Sequence, residues 1–536
     1  NEPVQLSPSG SKSFKQASSD QVLCVEGEAK GSENIIPRVP SLGNLALVGQ
    51  DTGKATVDTP ASPESRSRYS SSNPCTGTVI GAKYLTSGGS AASRRVIPLD
   101  ISIPSRDDGC PALDYTPGDA IGIVCQNRPS EVNFVLEHLG LQHVADAHFE
   151  IKVPECTDNG ARSKKFERQM GKILSIPRRN RTPRRVLTHH LDFGGPLRKI
   201  TVKKLAAFCS ELAEKARMEF LASRDGKRHF EKDIVSSRVG LPQLLKMFPS
   251  CKPSLDVLVI KLPSLVPRFY SVASSPLDEP EVVSVAFTVV EYEVSGERRQ
   301  GLCTSWLEKM CQPLLDSKGS NVFAALQCGT SIDFFIREAK EFVLPANLNW
   351  PLIFVGPGTG IAPFIGFISH RAALARLSET EKDDICSGFW RGGFELDHFC
   401  EDDESPQDRS SSNHQGSIHL FFGCRNRNED FLYKDKLQDF LSANALTSLH
   451  TAFSREQEEK VYVQNRLSEN AELVADALLN KNGYFYICGD GAKMANDVEK
   501  TLIDILKTVG KLNGDETAAV LTEMKDRGRY VKDVWS

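Results

Sequence analysis

A glycine-rich segment, residues 356–364 with the letters GPGTGIAPF, directly follows a short apolar run at 351–355. Glycines at such a turn let the backbone approach a pyrophosphate closely, and the helix that follows presents free N–H groups and the positive end of its dipole to the phosphates. No Lys-Ser or Lys-Thr pair follows the glycines, which disfavours a nucleotide-hydrolysing P-loop. The segment therefore predicts a dinucleotide site, with a plain strand-to-helix turn as the alternative.

A second group of polar side chains comprises Ser454, Arg455, Lys460 and Tyr462, after a predicted strand. Arginine offers forked hydrogen bonds to a phosphate, lysine offers a point charge, and the two hydroxyls can donate. An arginine beside a doubly wound sheet is how the 2′-phosphate of NADP is distinguished from NAD. The group indicates a site for this phosphate, and a solvated basic surface is the alternative.

Two further motifs lie in the middle of the chain. In residues 268–271 (RFYS) an alternating strand places Arg268 and Tyr270 on one face, where arginine can neutralise a diphosphate and tyrosine can lie flat against a flavin ring. Residues 301–307 (GLCTSWL) combine a glycine, a hydroxyl and an apolar run, as at a helix N-terminus directed at an anion. The alternatives are an ordinary half-buried strand and a structural N-cap with Trp306 in the core.

The C-terminal part of the chain carries two more candidate motifs. Residues 488–490 (CGD) end a predicted strand, and the C-terminal ends of strands are where ligands bind in doubly wound sheets. The last four residues, 533–536 (DVWS), include Trp535, which could cover a ring system as an aromatic lid. A buried inert cysteine and a frayed tail are the alternatives.

Size and composition limit what these motifs can belong to. The chain has 536 residues, 40% of them hydrophobic, which is enough apolar material for at least two domains. The formal net charge of −4 gives no electrostatic footprint for nucleic acid, and no apolar run is long enough to span a membrane. The 14 cysteines are scattered without metal-ligand spacing, which predicts no metal site and indicates reduced thiols in a reducing compartment such as the cytoplasm. Because the chain begins at Asn1 without a signal segment, we expect it to be one piece of a longer protein.

The elements that must position the motifs follow from changes of pattern along the chain. Residues 1–73 are rich in serine, proline and charge, and they predict a disordered linker because little apolar surface offsets the entropy of ordering. Short β-branched runs between turn residues, including one at 256–261, are typical of antiparallel strands. They predict one β-barrel built from residues 74–130 and 256–348.

Two other patterns complete the predicted organisation. Helical spacing of Leu, Val and Phe predicts that a helical domain, residues 131–255, interrupts the barrel. Alternating strands and helices predict a doubly wound parallel sheet over residues 349–536, with a surface insertion at 377–416. The expected fold class is therefore multidomain, α+β in the barrel part and α/β in the C-terminal part.

The six motifs, taken in their order along the chain, resemble the diflavin reductase family, whose C-terminal half is similar to ferredoxin–NADP reductase. That family carries R-x-Y-S, G-x-[AC]-T-x-W-L, G-P-G-T-G-x-A-P-F, S-R-x4-K-x-Y, C-G-D and a terminal D-V-W-S, and all six stand here over roughly residues 74–536. Phe269 and the insertion at 377–416 depart from the family pattern. The resemblance implies an FAD-binding barrel, a helical connecting domain and an NADPH-binding domain.

The resemblance also implies roles for individual residues. Tyr270 would stack on the isoalloxazine ring of FAD, and Trp535 would cover the opposite face and move aside for the nicotinamide. The implied catalytic residues are Ser271, Cys488, Asp533 and Trp535. The implied FAD-binding residues are Arg268, Tyr270, Ser271, Thr288, Tyr292, Gly301, Leu302, Cys303, Thr304 and Trp535. The implied NADPH-binding residues are Gly358, Thr359, Arg425, Ser454, Arg455, Lys460, Tyr462 and Asp490.

Partners are implied in the same way. The family has an N-terminal flavodoxin-like domain that binds FMN, and residues 1–73 match only the linker that would follow it. Features within residues 115–127, the run 248–251, and Cys303, where reductases of cytochrome P450 usually have alanine, favour the branch whose electrons reach the cobalamin of methionine synthase. A reductase of P450-type haemoproteins is the enzyme alternative, and a non-catalytic docking or chaperone module is the rival from another class.

Overall fold

A computed structural model describes residues 45–47, 69–71, 73–87, 94–105, 113–151, 164–178, 181–294, 296–316, 330–377, 416–491 and 493–535. Most of the predicted linker 1–73 and nearly all of the predicted insertion 377–416 lie outside these residues. Within the described ranges, no helix has the length and apolar character needed to cross a lipid bilayer.

Strands and helices are numbered separately in chain order. The described strands are β1 Leu45–Leu47, β2 Cys75–Ala82, β3 Val96–Ser102, β4 Ala120–Ile123, β5 Phe149–Ile151, β6 Arg268–Ser271, β7 Val282–Thr288, β8 Glu291–Val294, β9 Glu297–Gln300, β10 Ser331–Arg337, β11 Leu352–Val355, β12 Ile418–Cys424, β13 Ser448–Phe453, β14 Tyr484–Asp490 and β15 Tyr530–Trp535. The described α-helices are α1 Pro129–His138, α2 Lys164–Leu174, α3 Pro183–His189, α4 Lys199–Leu205, α5 Leu212–Ala222, α6 Lys227–Phe230, α7 Leu241–Met247, α8 Leu255–Lys261, α9 Leu302–Asp316, α10 Ala362–Arg376, α11 Lys434–Ser442, α12 Val463–Glu469, α13 Ala471–Ala475, α14 Met494–Thr508 and α15 Gly514–Asp526.

Strands β2, β3, β4, β6, β7 and β10 form one antiparallel sheet in the order β6-β4-β10-β2-β3-β7. Val272, directly after β6, forms an antiparallel bridge with Val285 of β7, so the two edges of the sheet meet and close a barrel. Leu99 of β3 and Phe287 of β7 are at most 1% exposed and lie in the barrel core, towards which every second side chain of a strand points. The predicted antiparallel barrel is confirmed.

Helices α1–α8 lie between β4 and β6 and share one apolar core. This part of the chain between β4 and β6 is called the helical segment. The prediction of a strand at 256–261 is wrong, because this run belongs to helix α8. Its β-branched residues favoured a strand, but Leu255, Leu258 and Val259 recur at helical spacing and are at most 2% exposed in this core. Packing against the neighbouring helices therefore overrides the β propensity of the run.

Three residues of the predicted linker form a strand instead. Leu45–Leu47 pairs antiparallel with Phe149–Ile151, which belongs to the helical segment. The prediction of disorder fails for these residues. Local composition could not reveal the pairing, because the partner strand lies far along the chain.

Strands β11–β15 form a second sheet, parallel throughout, in the order β13-β12-β11-β14-β15. Neighbouring residues of β11 belong to two different cores: Phe354 stacks on Phe364 of α10 with ring centroids 4.5 Å apart, whereas Ile353 lies in the core that contains Val498 of α14. Helices thus cover both faces of the sheet, which confirms the predicted doubly wound fold. The tail Tyr530–Trp535 is the edge strand of this sheet, so it is not frayed.

The barrel and the parallel-sheet domain are in direct contact. Ser275, after β6, shares a 2.9 Å hydrogen bond with Nδ1 of His370 on α10, and both residues are buried. Ala273, Ala286 and Ala362 form a small apolar cluster between the same two parts. Because these side chains are small, the end of β6 can lie close to the C-terminal ends of the parallel strands.

Candidate functional site

A cavity of about 1080 Å³ opens where the barrel, the helical segment and the parallel-sheet domain meet. Its walls come from β6, β7, the β8–β9 hairpin and the first turn of α9, and the parallel-sheet domain contributes Thr359, Ala362 and Trp535. Its volume is at the upper end of the range of small-molecule and cofactor sites. The predicted site residues that line it are Arg268, Tyr270, Ser271, Thr288, Tyr292, Gly301, Leu302, Cys303, Thr304, Thr359 and Trp535.

Strand β6 forms one wall of the cavity. It pairs with β4, so that Ile121 lies opposite Tyr270 and Ile123 lies opposite Arg268. The Tyr270 hydroxyl donates to Cys303 Sγ at 3.4 Å, and the tyrosine ring packs edge-on against Phe287 with centroids 6.2 Å apart. These two contacts hold the tyrosine ring in place at the cavity wall.

The first turn of α9 forms a second wall. Thr304 Oγ1 accepts a hydrogen bond from the Val290 backbone N–H at 3.1 Å, and its own O–H can still donate. A Cβ at Gly301 would lie 2.9 Å from the Val290 side chain, so glycine permits the close approach of this strand connection to the helix. Trp306 packs against the barrel core, as the structural interpretation of this motif expected.

Several arginines line the cavity, of which the motifs predicted only Arg268. The additional ones are Arg128, Arg238, Arg298 and Arg299. Arg128 donates to the Gln300 carbonyl at 2.7 Å, and the guanidinium of Arg238 lies 4.6 Å from the Tyr292 ring centroid. Such a concentration of guanidinium groups suits a diphosphate. The spacing of residues in the sequence could not predict this concentration of arginines. Only residues 298–299 lie next to a predicted motif, the one that begins at Gly301.

Ser271, Asp533 and Cys488 meet beside this cavity, although they belong to three different strands. Ser271 Oγ donates to Asp533 Oδ2 at 2.7 Å, and Cys488 Sγ lies 3.9 Å from the same carboxylate oxygen. Asp533 stands opposite Cys488 in the β14–β15 pairing. Burial, followed by the neighbouring Asp533 carboxylate, raises the pKa of the Cys488 thiol well above its ordinary value. The group therefore contains a neutral thiol, a hydroxyl and a carboxylate.

The glycine-rich segment connects β11 to α10, as predicted. Gly358 has φ of +59°, a conformation that side-chain-bearing residues rarely adopt. A Cβ at Gly360 would lie 2.1 Å from the Cys488 carbonyl oxygen, so glycine allows this turn to pack directly on the end of β14. The start of the helix is thereby placed next to Cys488, and Thr359 reaches the cavity lining.

The residues predicted to bind the 2′-phosphate lie at the C-terminal ends of β12 and β13. The Ser454 and Arg455 backbone N–H groups donate to the carbonyls of Cys424 and Arg425, both at 2.9 Å, which brings Arg425 and Arg455 side by side. Burial, followed by the charges of Arg94 and Arg455, lowers the pKa of Arg425. The excess positive potential at this point would be relieved by a phosphate dianion.

Lys460 and Tyr462 are exposed on the segment that follows β13, and they lie outside the cavity lining. Asp490 is also exposed, at the end of β14, and its carboxylate accepts a 3.4 Å hydrogen bond from the Lys493 backbone N–H. Trp535 stands opposite Asp490 in the β14–β15 pairing and is 45% exposed. The predicted NADPH-binding residues therefore lie along the C-terminal ends of the parallel strands, from β13 to β15.

Two family descriptions match consecutive parts of the chain. Residues 67–306 match the FAD binding domain, a range that includes strands β2–β9, helices α1–α8 and the start of α9. Residues 354–500 match the oxidoreductase NAD-binding domain, a range that includes most of the parallel sheet. The cavity lies between these two matched parts.

Longer known proteins are similar to most of the chain. It is 32% identical over 469 residues to methionine synthase reductase of Homo sapiens, a match that covers 85% of this chain and 60% of that protein. Over 463 residues it is 31% identical to methionine synthase reductase of Mus musculus, covering 84% and 60%. It is 30% identical over 486 residues to NADPH–cytochrome P450 reductase of Dictyostelium discoideum, covering 89% and 61%. The chain thus spans about 60% of the length of these relatives, and it belongs to the diflavin reductase family, of which it carries the FAD-binding and NAD-binding domains.

Proposed function

We propose that this chain transfers a hydride from NADPH to FAD and passes the electrons onward to a separate acceptor. The observation that supports this most directly is the 2.7 Å contact between Ser271 of the barrel and Asp533 of the parallel sheet, with Cys488 beside them. It joins Ser271, in the part that matches an FAD-binding domain, to β15, which pairs with β14 of the part that matches an NAD-binding domain. A flavin in the cavity and a nicotinamide at the strand ends would meet there.

The chemistry of the cavity fits FAD. Arg268 and the neighbouring arginines would neutralise the diphosphate, and Tyr270 and Trp535 offer flat aromatic faces to a ring system. Thr304 can donate a hydrogen bond from the start of α9. Bound FAD would supply the redox chemistry, since its ring accepts a hydride and can release electrons singly.

The residues beside the cavity would favour hydride transfer electrostatically. Asp533 would stabilise the positive charge that a nicotinamide ring gains when it gives up a hydride. Because Cys488 keeps its proton, its S–H does not add a second negative charge next to this carboxylate. Ser271 holds the carboxylate in place through its own O–H. Trp535, at the cavity edge, would exclude water until a nicotinamide displaces it.

Preference for NADPH over NADH would come from the group at the ends of β12 and β13. Arg425 and Arg455 lie side by side there, with Ser454, Lys460 and Tyr462 nearby in sequence. Gly358 and Thr359 would bring the start of α10 close to the diphosphate of NADPH. Arg455, Lys460 and Tyr462 are exposed, so their side chains can reach a 2′-phosphate without first breaking a buried contact.

The terminal acceptor forms the finer part of the proposal. We infer that electrons leave through FMN on a flavodoxin-like domain upstream of this chain, and reach the cobalamin of methionine synthase. Similarity to methionine synthase reductase supports this acceptor, and similarity to NADPH–cytochrome P450 reductase supports a P450-type haemoprotein as the second candidate. The free thiols of the described residues fit a reducing compartment such as the cytoplasm. Assays of the longer protein with cob(II)alamin methionine synthase and with a P450 would separate the two acceptors.

The reductase activity itself can be tested on this chain. We expect the purified protein to contain FAD and no FMN by chromatography, and NADPH to bleach the flavin absorbance anaerobically and then support reduction of ferricyanide. Arg268→Ala should lower FAD content. Arg337→Ala is the matched control, because Arg337 lies 4.0 Å from the Phe269 ring centroid and outside the cavity lining. Stoichiometric FMN, or no flavin after reconstitution with FAD, would contradict the proposal.

A further inference from the structure

Two cysteines of the helical segment face each other across a short antiparallel bridge. Cys209, after α4, is paired with Cys251, after α7. The Lys252 N–H donates to the Phe208 carbonyl at 3.0 Å, and the Ser210 N–H donates to the Ser250 carbonyl at 3.4 Å. Hydrogen bonds that flank a residue pair on both sides define the non-hydrogen-bonded type, in which the Cα atoms are about 4.5 Å apart and the side chains are closest. That separation lies within the range of about 4.4–6.8 Å in which disulfides form.

The side chains at this bridge are free thiols that interact with each other. Cys251 is 0% exposed, and its Sγ donates to the Leu205 carbonyl at 3.4 Å, whereas Cys209 is half-buried and its Sγ lies 3.4 Å from Met218 Sδ. Burial, followed by the Cys209 thiol, raises the pKa of Cys251. Cys209 is therefore the thiol that a small reagent can reach, and Cys251 is the buried thiol beside it.

The bridge closes a segment that contributes to the cavity. Residues 210–250 include α5, α6 and α7, and within them Arg238 and Gln243 line the cavity. At the base of the segment, Glu214 Oε2 accepts from the Ser250 N–H at 2.9 Å and from the Ser250 hydroxyl at 2.6 Å. A covalent link at the bridge would therefore tie together two ends that already lie side by side.

We propose that Cys209 and Cys251 form an oxidative modification site, in which a low-molecular-weight disulfide such as oxidised glutathione converts the two thiols into a reversible intramolecular disulfide. The Cys209 thiolate would attack one sulfur of the reagent and release one small thiol. Cys251, after losing its proton, would attack Cys209 Sγ and release the second. Two electrons and two protons leave the cysteines and appear in the two small thiols, so the exchange is balanced.

The rate of this exchange depends on pH. Burial, which is opposed by hydrogen bonds from Cys251 and Ser250, raises the pKa of Cys209, and Glu214 and Lys215 are the charged groups that face it. Because only the thiolate attacks, oxidation at neutral pH should be slow and should accelerate as the pH rises. Because the two residues already face each other across the bridge, the disulfide would fit the existing pairing, and it would stabilise the segment by restricting the unfolded chain.

The experiment is a disulfide map of the native chain. After incubation with excess oxidised glutathione at mildly alkaline pH, free thiols are alkylated and the protein is digested without reduction. We expect a Cys209–Cys251 linked peptide that disappears on reduction, and an unfolding temperature that rises by roughly a few degrees in the oxidised protein. Cys209→Ser should abolish both results. Cys311→Ser, at a cysteine buried in the barrel core, should preserve both.

Three results would overturn the proposal. The first is recovery of Cys209 and Cys251 in alkylated form after prolonged oxidation. The second is a stable glutathione adduct on Cys209, which would show that Cys251 does not complete the exchange. The third is a linked peptide with a lower unfolding temperature, which would show that the bridge geometry does not accept a disulfide. None of these results requires a variant, so a folding defect in one substitution cannot obscure them.

Discussion

Ser271 and Asp533 share a 2.7 Å hydrogen bond, although Ser271 ends a barrel strand and Asp533 lies on the edge strand of the parallel sheet. The position of the carboxylate therefore depends on how the two domains pack. Cys488 is held in the same place by the pairing of β14 with β15. A site of this kind couples local chemistry to the contact between domains.

Asp533→Asn tests the electrostatic role of the carboxylate. The amide keeps the shape of the side chain but removes the negative charge, so we expect flavin reduction by NADPH to slow on the order of 10- to 100-fold, with FAD content unchanged. Stopped-flow absorbance measures the rate. Asp497→Asn, at a side chain of α14 that lies 3.9 Å from Lys500, is the matched control and should leave the rate unchanged.

The hydrogen bond itself can be tested with a double-mutant cycle. Ser271→Ala removes the donor, and the double variant with Asp533→Asn removes both partners. Because the two side chains are in direct contact, the combined loss of rate should be smaller than the product of the two single losses. Independent effects would show that the contact does not matter for hydride transfer.

Arg455→Ala tests cofactor preference. One charge-assisted contact to a phosphate is worth about 1.5–3 kcal/mol, so the Kd for NADPH should rise roughly 10- to 150-fold while the Kd for NADH stays nearly constant. Titration of each cofactor, followed by flavin reduction at limiting concentration, measures this. Arg427→Ala is the control, because that arginine is already paired with Glu456 at 3.0 Å. An equal increase in Kd for NADPH and NADH would contradict the proposed 2′-phosphate site.

Contiguous motifs could be predicted because their chemistry is local. The turn at 356–364 follows a strand and starts a helix, and both neighbours are visible in the sequence. Arg128 and Arg238 could not be predicted, because they come from the helical segment and reach the cavity only through tertiary packing. Cys209 and Cys251 meet across a bridge that no spacing rule describes.

The wrong strand at 256–261 has a similar physical cause. A short apolar run with β-branched residues fits either a strand or a buried helix, and its neighbours decide between them. Here Leu258 and Val259 pack into the helical core, which imposes the helix. The tail around Trp535 shows the reverse case, because an exposed end becomes ordered by pairing with β14.

We expect His370, at the contact between the domains, to make the stability of the protein sensitive to acid. Burial lowers the pKa of His370 to about 4, whereas an unfolded histidine titrates near 6.5. The folded state therefore disfavours the protonated ring. Its contribution to stability is complete above pH of about 6.5 and is lost as the pH falls towards about 4. At pH of about 5 the free energy of unfolding should have dropped by about 2 kcal/mol through this residue.

His370→Gln measures that contribution. The glutamine amide can still hydrogen-bond Ser275 but does not titrate, so this variant should lose less stability than the wild type between neutral pH and pH of about 5. Denaturant unfolding at both pH values gives the difference. Ser275→Ala should keep the full acid sensitivity, because burial and not the hydroxyl lowers the pKa of His370. The same acid loss in wild type and His370→Gln would contradict the assignment.

Trp535→Ala tests access of the nicotinamide to the cavity. Trp535 lines the cavity and is 45% exposed, and its backbone carbonyl is fixed by a 2.8 Å hydrogen bond from the Gly491 N–H. The side chain can therefore move while the strand stays paired. An aromatic ring over the flavin must leave before a nicotinamide can stack, and NADH lacks the 2′-phosphate contacts that help to drive this displacement.

Removal of the Trp535 ring should therefore accelerate flavin reduction by NADH more than reduction by NADPH, and it should slow the release of NADP⁺. Stopped-flow rates with both cofactors measure the effect, with Val534→Ala, at the exposed neighbouring residue, as the control. An unchanged NADPH/NADH ratio in Trp535→Ala would show that Trp535 only completes the edge strand.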